Sequence, residues 1–224
     1  SSDFQTQQTQ LRGKLLLAEP GLRDLSFRRT VLLICGHELG DGASGLILNR
    51  PLGSVVGELL KDKAFEPLKN IAVYEGGPVL RDQLMFCSMW WTPKRGLHWA
   101  MRISIEEATE HARRPGRIVR AYLGHAGWSP GQLEDEMTQQ TWIIAEPTRE
   151  FLGSGQDIDL WQNLLGKVSP LYRILVEAPD DPFLIESQDS VIARSAPMPF
   201  PAASPDTLIS PMSDTSVQFS PIDE

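Results

Sequence analysis

Cysteine is scarce in this chain of 224 residues: it has two, Cys35 and Cys87. Both lie inside apolar runs, VLLICGHE and LMFCSMWW, so buried reduced thiols are expected and a disulfide framework is not. A reactive thiol needs surroundings that favour the thiolate, and only His37 is close in sequence to Cys35. Histidine is nearly as rare, with His37, His98, His111 and His125. No two of them, and no histidine and cysteine, stand at i, i+3 or i+4, and C-x-x-C does not occur, so no metal site is expected. Cys35-x-His37 would face one side of a strand but offers only two ligands. No apolar run approaches the roughly 18 residues that a spanning helix needs. The opening SSDFQTQQTQ lacks the basic end and apolar core of a signal peptide, and a soluble cytoplasmic protein is expected, with no membrane contact. Neither G-x-G-x-x-G nor G-x-x-x-x-G-K opens a helix, so no nucleotide is expected by those routes, and no cofactor of any kind is expected. Internal repeats are absent.

Positive charge is also in deficit, with 21 Lys and Arg against 29 Asp and Glu, for a net −8. Half of that net charge lies in residues 187–224. An acidic body has no broad basic face with which to displace phosphate counterions, so direct nucleic-acid binding is not expected. Arg113, Arg114, Arg117 and Arg120 form the one basic cluster. It reads as a solvated helix end, with anion or RNA contact as the alternative.

The chain does have many short branched apolar runs punctuated by glycine, proline and aspartate. GKLLLAEP, RTVLLICGHE, GLILNRP, NIAVYEGGPV, RIVRAYLG and QTWIIAEP read as strands, and QLMFCSMWW and LHWAMRI as a strand pair around TPKRG. SVVGELLKDK reads as a helix capped by Ser54 with Val55, Val56, Leu59 and Leu60 on one face. Ser104-Ile105-Glu106-Glu107 is a capping box opening a helix that ends at Arg113 and Arg114. DIDLWQNLLGKV is an amphipathic helix carrying Leu160, Trp161, Leu164 and Leu165. Strands outnumber helices and do not alternate with them, which predicts an α+β fold: a compact, mostly antiparallel sheet with flanking helices. The boundaries read as a flexible start over 1–10, one domain over 11–186, and a Ser/Pro-rich tail over 187–224 without helical or strand periodicity.

GHAGWSPGQLEDE, from Gly124 to Glu136, contains the G-x-S-x-G pattern of a serine hydrolase. A nucleophile elbow uses the N–H of the residue after the serine as an oxyanion donor, and here that residue is Pro130, which has none. Such a donor is worth about 3 kcal/mol of transition-state stabilisation. The plainer reading makes GHAGW a tight turn that seats Trp128 on the sheet. Ser129 is then an N-cap, Pro130 the first helical residue and Gln132 the closing member of a capping box.

Three Gly/Pro-rich turns remain as candidate recognition elements: LNRPLG with Asn49 and Arg50, YEGGPV with Gly76 and Gly77, and GWSPGQ with Trp128 and Gln132. Asn49 and Arg50 at a strand end could hold an anion, and consecutive glycines expose backbone donors. Glu136 lies one helical turn from Gln132. If the three turns converge, they form a site for an unknown small molecule or a partner's peptide, and the chain is a non-enzymatic binding or regulatory protein. The alternative is an enzyme of unknown reaction using Asn49, Arg50, His37 or Glu136 in the same place. A third reading is a nucleic-acid regulator using the arginine cluster. The bland counterpart is that the turns serve chain reversal alone.

GKLLLAEP, DLSFRRTV, GASGLILNRPLG, YEGGPV and GWSPGQLEDE, in this order over roughly residues 11–168, resemble the YqgE/AlgH family of bacterial proteins. The resemblance implies a compact α+β fold with an antiparallel sheet, and a function described in some members as transcriptional regulation, on genetic grounds. The family commonly has glycine at the position of Ser129 and tolerates other residues at that of His125, which speaks against a Ser–His mechanism.

Overall fold

The structure, a computed structural model, describes residues 10–38, 40–152 and 159–177. Nearly all of the expected flexible start and all of the Ser/Pro-rich tail lie outside the described residues.

Strand β1 (Leu15–Ala18) pairs with β2 (Val31–Glu38) on one side and β9 (Trp142–Ala145) on the other, both antiparallel. Strand β2 continues to β3 (Gly42–Ile47), and β3 pairs with the end of β8 (Arg117–Trp128). Strand β5 (Ala72–Glu75) pairs with β4 (Pro51–Val55) and, in the one parallel ladder among the described residues, with β8. Strands β6 (Val79–Thr92) and β7 (Gly96–Ile103) form the expected hairpin, closing at Thr92↔Gly96, and β6 covers the other edge of β8. The result is an α+β fold on one mixed, mostly antiparallel sheet.

Three apolar layers hold the sheet. On one face, Leu15, Leu17, Val31 and Leu33 meet helix α4 (Leu160–Val168). Leu160, Trp161, Leu164 and Leu165 on that helix are all buried, as the i, i+1, i+4, i+5 pattern predicts, and each contributes about 1.5–3 kcal/mol. The opposite face packs Leu16, Leu32 and Ile34 on Phe27, Trp128 and Trp142 and on helix α3 (Gln132–Thr138). A third layer joins Val73, Phe86 and Ala121 to helix α2 (Ile105–Arg113). The serine half of the α2 capping box is present, with Ser104 Oγ accepting the Glu107 N–H at 3.1 Å.

Two expected elements differ. Residues 51–55 form strand β4 rather than the approach to a long helix, and helix α1 is reduced to Val56–Leu59 with Val55, not Ser54, at its N-cap and no side-chain cap. Pairing of Pro51 with Tyr74 and of Val55 with Ala72 recruits this segment to the sheet, and the β-branched Val55 suits a strand. GHAGW is not a turn: β8 runs straight through it to Trp128, bending at Gly124 (φ 72°). That bend lets one strand serve β5 and then β3 along a single edge, while β6 occupies the other.

The chain must therefore cross β8 between β5 and β6, and it does so at Gly76-Gly77-Pro78. Gly76 N–H donates to the Leu123 carbonyl (2.8 Å), and its own carbonyl accepts from Ile47 N–H (2.9 Å). A Cβ on Gly76 would stand 2.2 Å from the Gly124 carbonyl oxygen, and one on Gly77 would stand 2.2 Å from the carbonyl carbon of His125. Backbone lies on backbone here, which only glycine permits.

Candidate functional site

The expected recognition residues separate into two groups. Asn49 is buried; its side chain accepts from Val31 N–H (2.9 Å) and donates to the Arg29 carbonyl (2.9 Å), pinning the entry to β2. Arg50 donates to the carbonyls of Ser26 (2.6 Å), Leu25 (3.1 Å) and Arg28 (3.1 Å), with Glu75 at 3.8 Å. Burial pulls its pKa below the ordinary arginine value, against the pull of Glu75. The guanidinium fork thus holds the 25–28 loop. Gly76 and Gly77 lie beside this group, since the Arg50 carbonyl accepts the Glu75 N–H. Their backbone is engaged in the crossing of β8.

Trp128, Gln132 and Glu136 form the other group, at the far end of β3, where Ala43 pairs with Trp128. Four residue steps separate Ala43 from Ile47, about 13 Å of strand, which sets the NRP turn apart from the Trp128 group. Glu136 is buried, and its Oε2 accepts from both indoles, Trp128 Nε1 at 2.9 Å and Trp142 Nε1 at 2.7 Å. Its Oε1 accepts from Gln132 Nε2 at 3.1 Å. Three donors meet one carboxylate beside an aromatic cluster, in which Phe27 stacks on Trp128 and both rings meet Trp142 edge to face. Such a hydrogen-bonded buried network fixes a core.

The helix start corrects the cap assignment. Helix α3 begins after Gly131 (φ 80°, ψ −15°), and Ser129 to Gln132 is a reverse turn with Pro130 and Gly131 at its corners, closed by Gln132 N–H to the Ser129 carbonyl at 3.0 Å. Ser129 does not cap the helix. Half of the expected box survives, because Gln132 Oε1 accepts from the Ser129 N–H (3.0 Å) and hydroxyl (3.1 Å).

Other candidates are also committed. A bulge in β2 between Ile34 and Gly36 puts Cys35 and His37 on opposite faces, not one. Cys35 joins the α4 layer, while His37 reaches α3, accepting from Leu11 N–H (2.9 Å) and meeting Glu134 Oε1 at 2.6 Å. Burial raises the Cys35 thiol pKa and pushes that of Cys87 up to about 12, so neither is a ready nucleophile. The arginine cluster is dispersed: Arg120 is buried over the Tyr74 ring at 4.3 Å, Arg117 lies over Trp90 at 4.2 Å, and Arg114 pairs with Glu110. No group of three metal-ligating side chains exists among the described residues.

One cavity, of about 270 Å³, is built where β6, β7 and β8 depart from regular pairing. Residues 80–83 of β6 bulge out between Val79↔His125 and Leu84↔Leu123. On β7, Met101 and Arg102 lie between the Phe86↔Ile103 and Ser88↔Ala100 pairs, opposite Cys87 alone. Leu80 (φ 51°) and Arg102 (φ 53°) both adopt left-handed backbone at these bulges, a conformation that stores strain in non-glycine residues. Leu84, Phe86 and Ile103 supply apolar wall, and Gln83, Arg102 and His125 supply polar groups. His125 is only 8% exposed, and among the described residues no group hydrogen-bonds to its ring. Burial, then the charge of Arg102, lowers its pKa, so the imidazole is neutral near pH 7. Arg102 is exposed and forms no ion pair among the described residues.

In the sequence His125 stands beside the Ser129 motif, whereas Gln83 and Arg102 lie in no motif. A histidine directly after Gly124 is the available signal, since glycine marks close backbone approach. Nothing local announces the two bulges.

The fold and site together define an α+β protein on one curled mixed sheet, with a small cavity at the irregular edge of its longest strands. Residues 15–173 match the model of a family described as AlgH-like, and the chain belongs to that family. A UPF0301 protein of Streptomyces coelicolor is 32% identical over 192 residues, covering 80% of this chain and 97% of the relative. Another UPF0301 protein, from Bacteroides thetaiotaomicron, is 31% identical over 180 residues, covering 76% and 89% respectively. Among solved structures, protein DIP2367 of Corynebacterium diphtheriae matches with a TM-score of 0.57 at 22% identity, covering 73% of this chain and 92% of that one. The solution structure of the AlgH protein of Pseudomonas aeruginosa matches with a TM-score of 0.53 at 24% identity, covering 79% and 99%. These structural likenesses bear on the fold. Among the described residues no helix is long and apolar enough to cross a membrane.

Proposed function

We propose that this chain is a non-catalytic binding protein, regulatory through what it binds, and that it takes a small ligand in the cavity between β6, β7 and β8. The observation that carries this reading is the convergence of Gln83, Arg102 and His125 with apolar Leu84, Phe86 and Ile103 in one cavity, where the His125 imidazole has no hydrogen-bond partner among the described residues. At about 270 Å³ the cavity is near the lower end of the roughly 300–1,000 Å³ of small-molecule sites. Strained Leu80 and Arg102 at its mouth support the same reading.

The enzymatic alternative has less support. Ser129 sits on an exposed turn before Pro130, and His37 and Glu136 are held by partners of their own. A cytoplasmic setting without direct nucleic-acid contact belongs to the same proposal, supported by the net charge of −8 and the dispersed arginines.

Ligand-observed NMR of the purified protein against a fragment mixture tests the reading. Gln83→Trp, at an exposed position on the cavity wall, is the plugged control. Binding fragments should lose their signal change with the plugged protein. Fragments that bind both proteins equally, with none lost, would place recognition elsewhere. Labelling of Ser129 by a fluorophosphonate would instead establish the enzyme.

A further inference from the structure

We propose that the cavity is a carboxylate-binding site for a short apolar acid, with Arg102 and His125 gripping the carboxylate and Leu84, Phe86 and Ile103 receiving the tail. The inference rests on the binding reading above and names the chemical class of its ligand. Its first support is the sign of the polar groups. Arg102 carries a fixed positive charge with no anion paired to it among the described residues. His125 has a free ring N–H or N at hydrogen-bonding disposal, and Gln83 adds an amide. No carboxylate lines the cavity, so it attracts anions and repels cations.

The second support is the division of the lining. Polar and apolar surface share the wall about equally: Gln83, Arg102 and His125 supply polar groups, and Leu84, Met85, Phe86 and Ile103 supply the apolar part. A bare inorganic anion would leave that apolar wall uncovered. An acid with a short hydrocarbon tail satisfies both parts: its carboxylate accepts from the guanidinium and from an imidazole N–H, and its tail displaces water from the leucine, phenylalanine and isoleucine surface. A carboxylate beside a hydrocarbon occurs both in free fatty acids and at the C-terminus of a peptide ending in an apolar residue. Two probes separate these sources: hexanoate for the free acid, N-acetyl-leucine for the chain terminus.

The physical consequence at His125 is testable. The ring is kept neutral by burial and by Arg102, and a bound carboxylate would offset both effects. Arg102 on β7 is the charged group that acts on it; Arg81 and Asp82 on the neighbouring β6 bulge exert no resolved effect.

The experiment titrates the full chain with hexanoate, N-acetyl-leucine, hexanol, hexylamine and inorganic phosphate, following backbone amides and the His125 ring by NMR. Hexanoate or N-acetyl-leucine should shift residues around His125 and Arg102 and raise the His125 pKa, with hexanol weaker by about tenfold. Hexylamine and phosphate should bind more weakly still. Arg102→Gln and His125→Gln should each weaken the acid about tenfold while leaving hexanol binding unchanged. If hexanol or hexylamine fills the cavity as well as either acid, the carboxylate inference falls and the binding reading stands. If phosphate alone binds, the apolar half falls. If no probe shifts the cavity resonances, the inference is overturned, and the fragment screen with Gln83→Trp decides the broader reading separately.

Discussion

Glu136 and His125 are both buried polar residues, and the contrast between them underlies the proposed division into scaffold and site. The Glu136 carboxylate receives two indole N–H groups and an amide, which ties helix α3 to Trp128 and Trp142. His125, eleven residues earlier in numbering but on the irregular edge of β8, has no hydrogen-bond partner among the described residues and borders a cavity. A dense motif can be dense because it satisfies itself.

The sharpest break of this comparison is at the crossing that places His125. Gly77→Ala puts a Cβ where the His125 backbone already lies, 2.2 Å away. It should destabilise by about 4 kcal/mol or prevent folding, measured by chemical denaturation. A loss below about 1 kcal/mol would mean that the crossing is loose and the cavity poorly fixed.

Next in size is Glu136→Ala, which orphans two buried indole donors. It should cost about 3 kcal/mol, whereas Glu136→Gln, which keeps an acceptor, should cost less. Neither substitution should abolish binding in a cavity it does not touch. Equal stability of Glu136→Ala and the parent would show that the indole–carboxylate cluster is not the scaffold described above.

Arg50→Ala follows. Its guanidinium serves three loop carbonyls. Its removal should lower stability by about 1–2 kcal/mol without affecting ligand binding at His125. Loss of binding with unchanged stability would return the site to the NRP turn.

The smallest effect is pH-linked. Burial first, and neighbouring arginines second, lower the pKa values of His98, His111 and His125 below the ordinary value of about 6.5. The unfolded chain therefore binds these protons at higher pH than the folded one, and stability falls as pH drops below about 6.5 toward the folded pKa values. His125→Gln should reduce that slope in pH-dependent thermal melts, and a slope unchanged by the substitution would assign it to the other histidines.

Much of the architecture was legible locally. Branched apolar runs located β1, β2, β5 and β9, the TPKRG turn located the β6–β7 hairpin, and Ser104 with Glu107 located the start of α2. These elements are specified by neighbours in sequence. What escaped depends on distant backbone: β4 exists because β5 lies beside it, and GHAGW is extended because β3 and β6 pair with it. The site suffered most. NRP, EGGP and GWSPGQ were rightly special, but their glycines, arginine and tryptophan answer to packing partners that only the assembled sheet provides. Arg102 and Gln83 gave no local signal, because a bulge is set by the register of two strands together.

The central claim is that recognition belongs to the His125 cavity and structure to the Glu136 cluster. One titration addresses both: hexanoate added to the labelled full chain, with the indole Nε1 resonances of Trp128 and Trp142 followed beside the amides of Arg102 and His125. The account predicts saturable shifts at Arg102 and His125 with both indole signals unmoved. Shifts of the indole resonances while Arg102 and His125 stay still would contradict it.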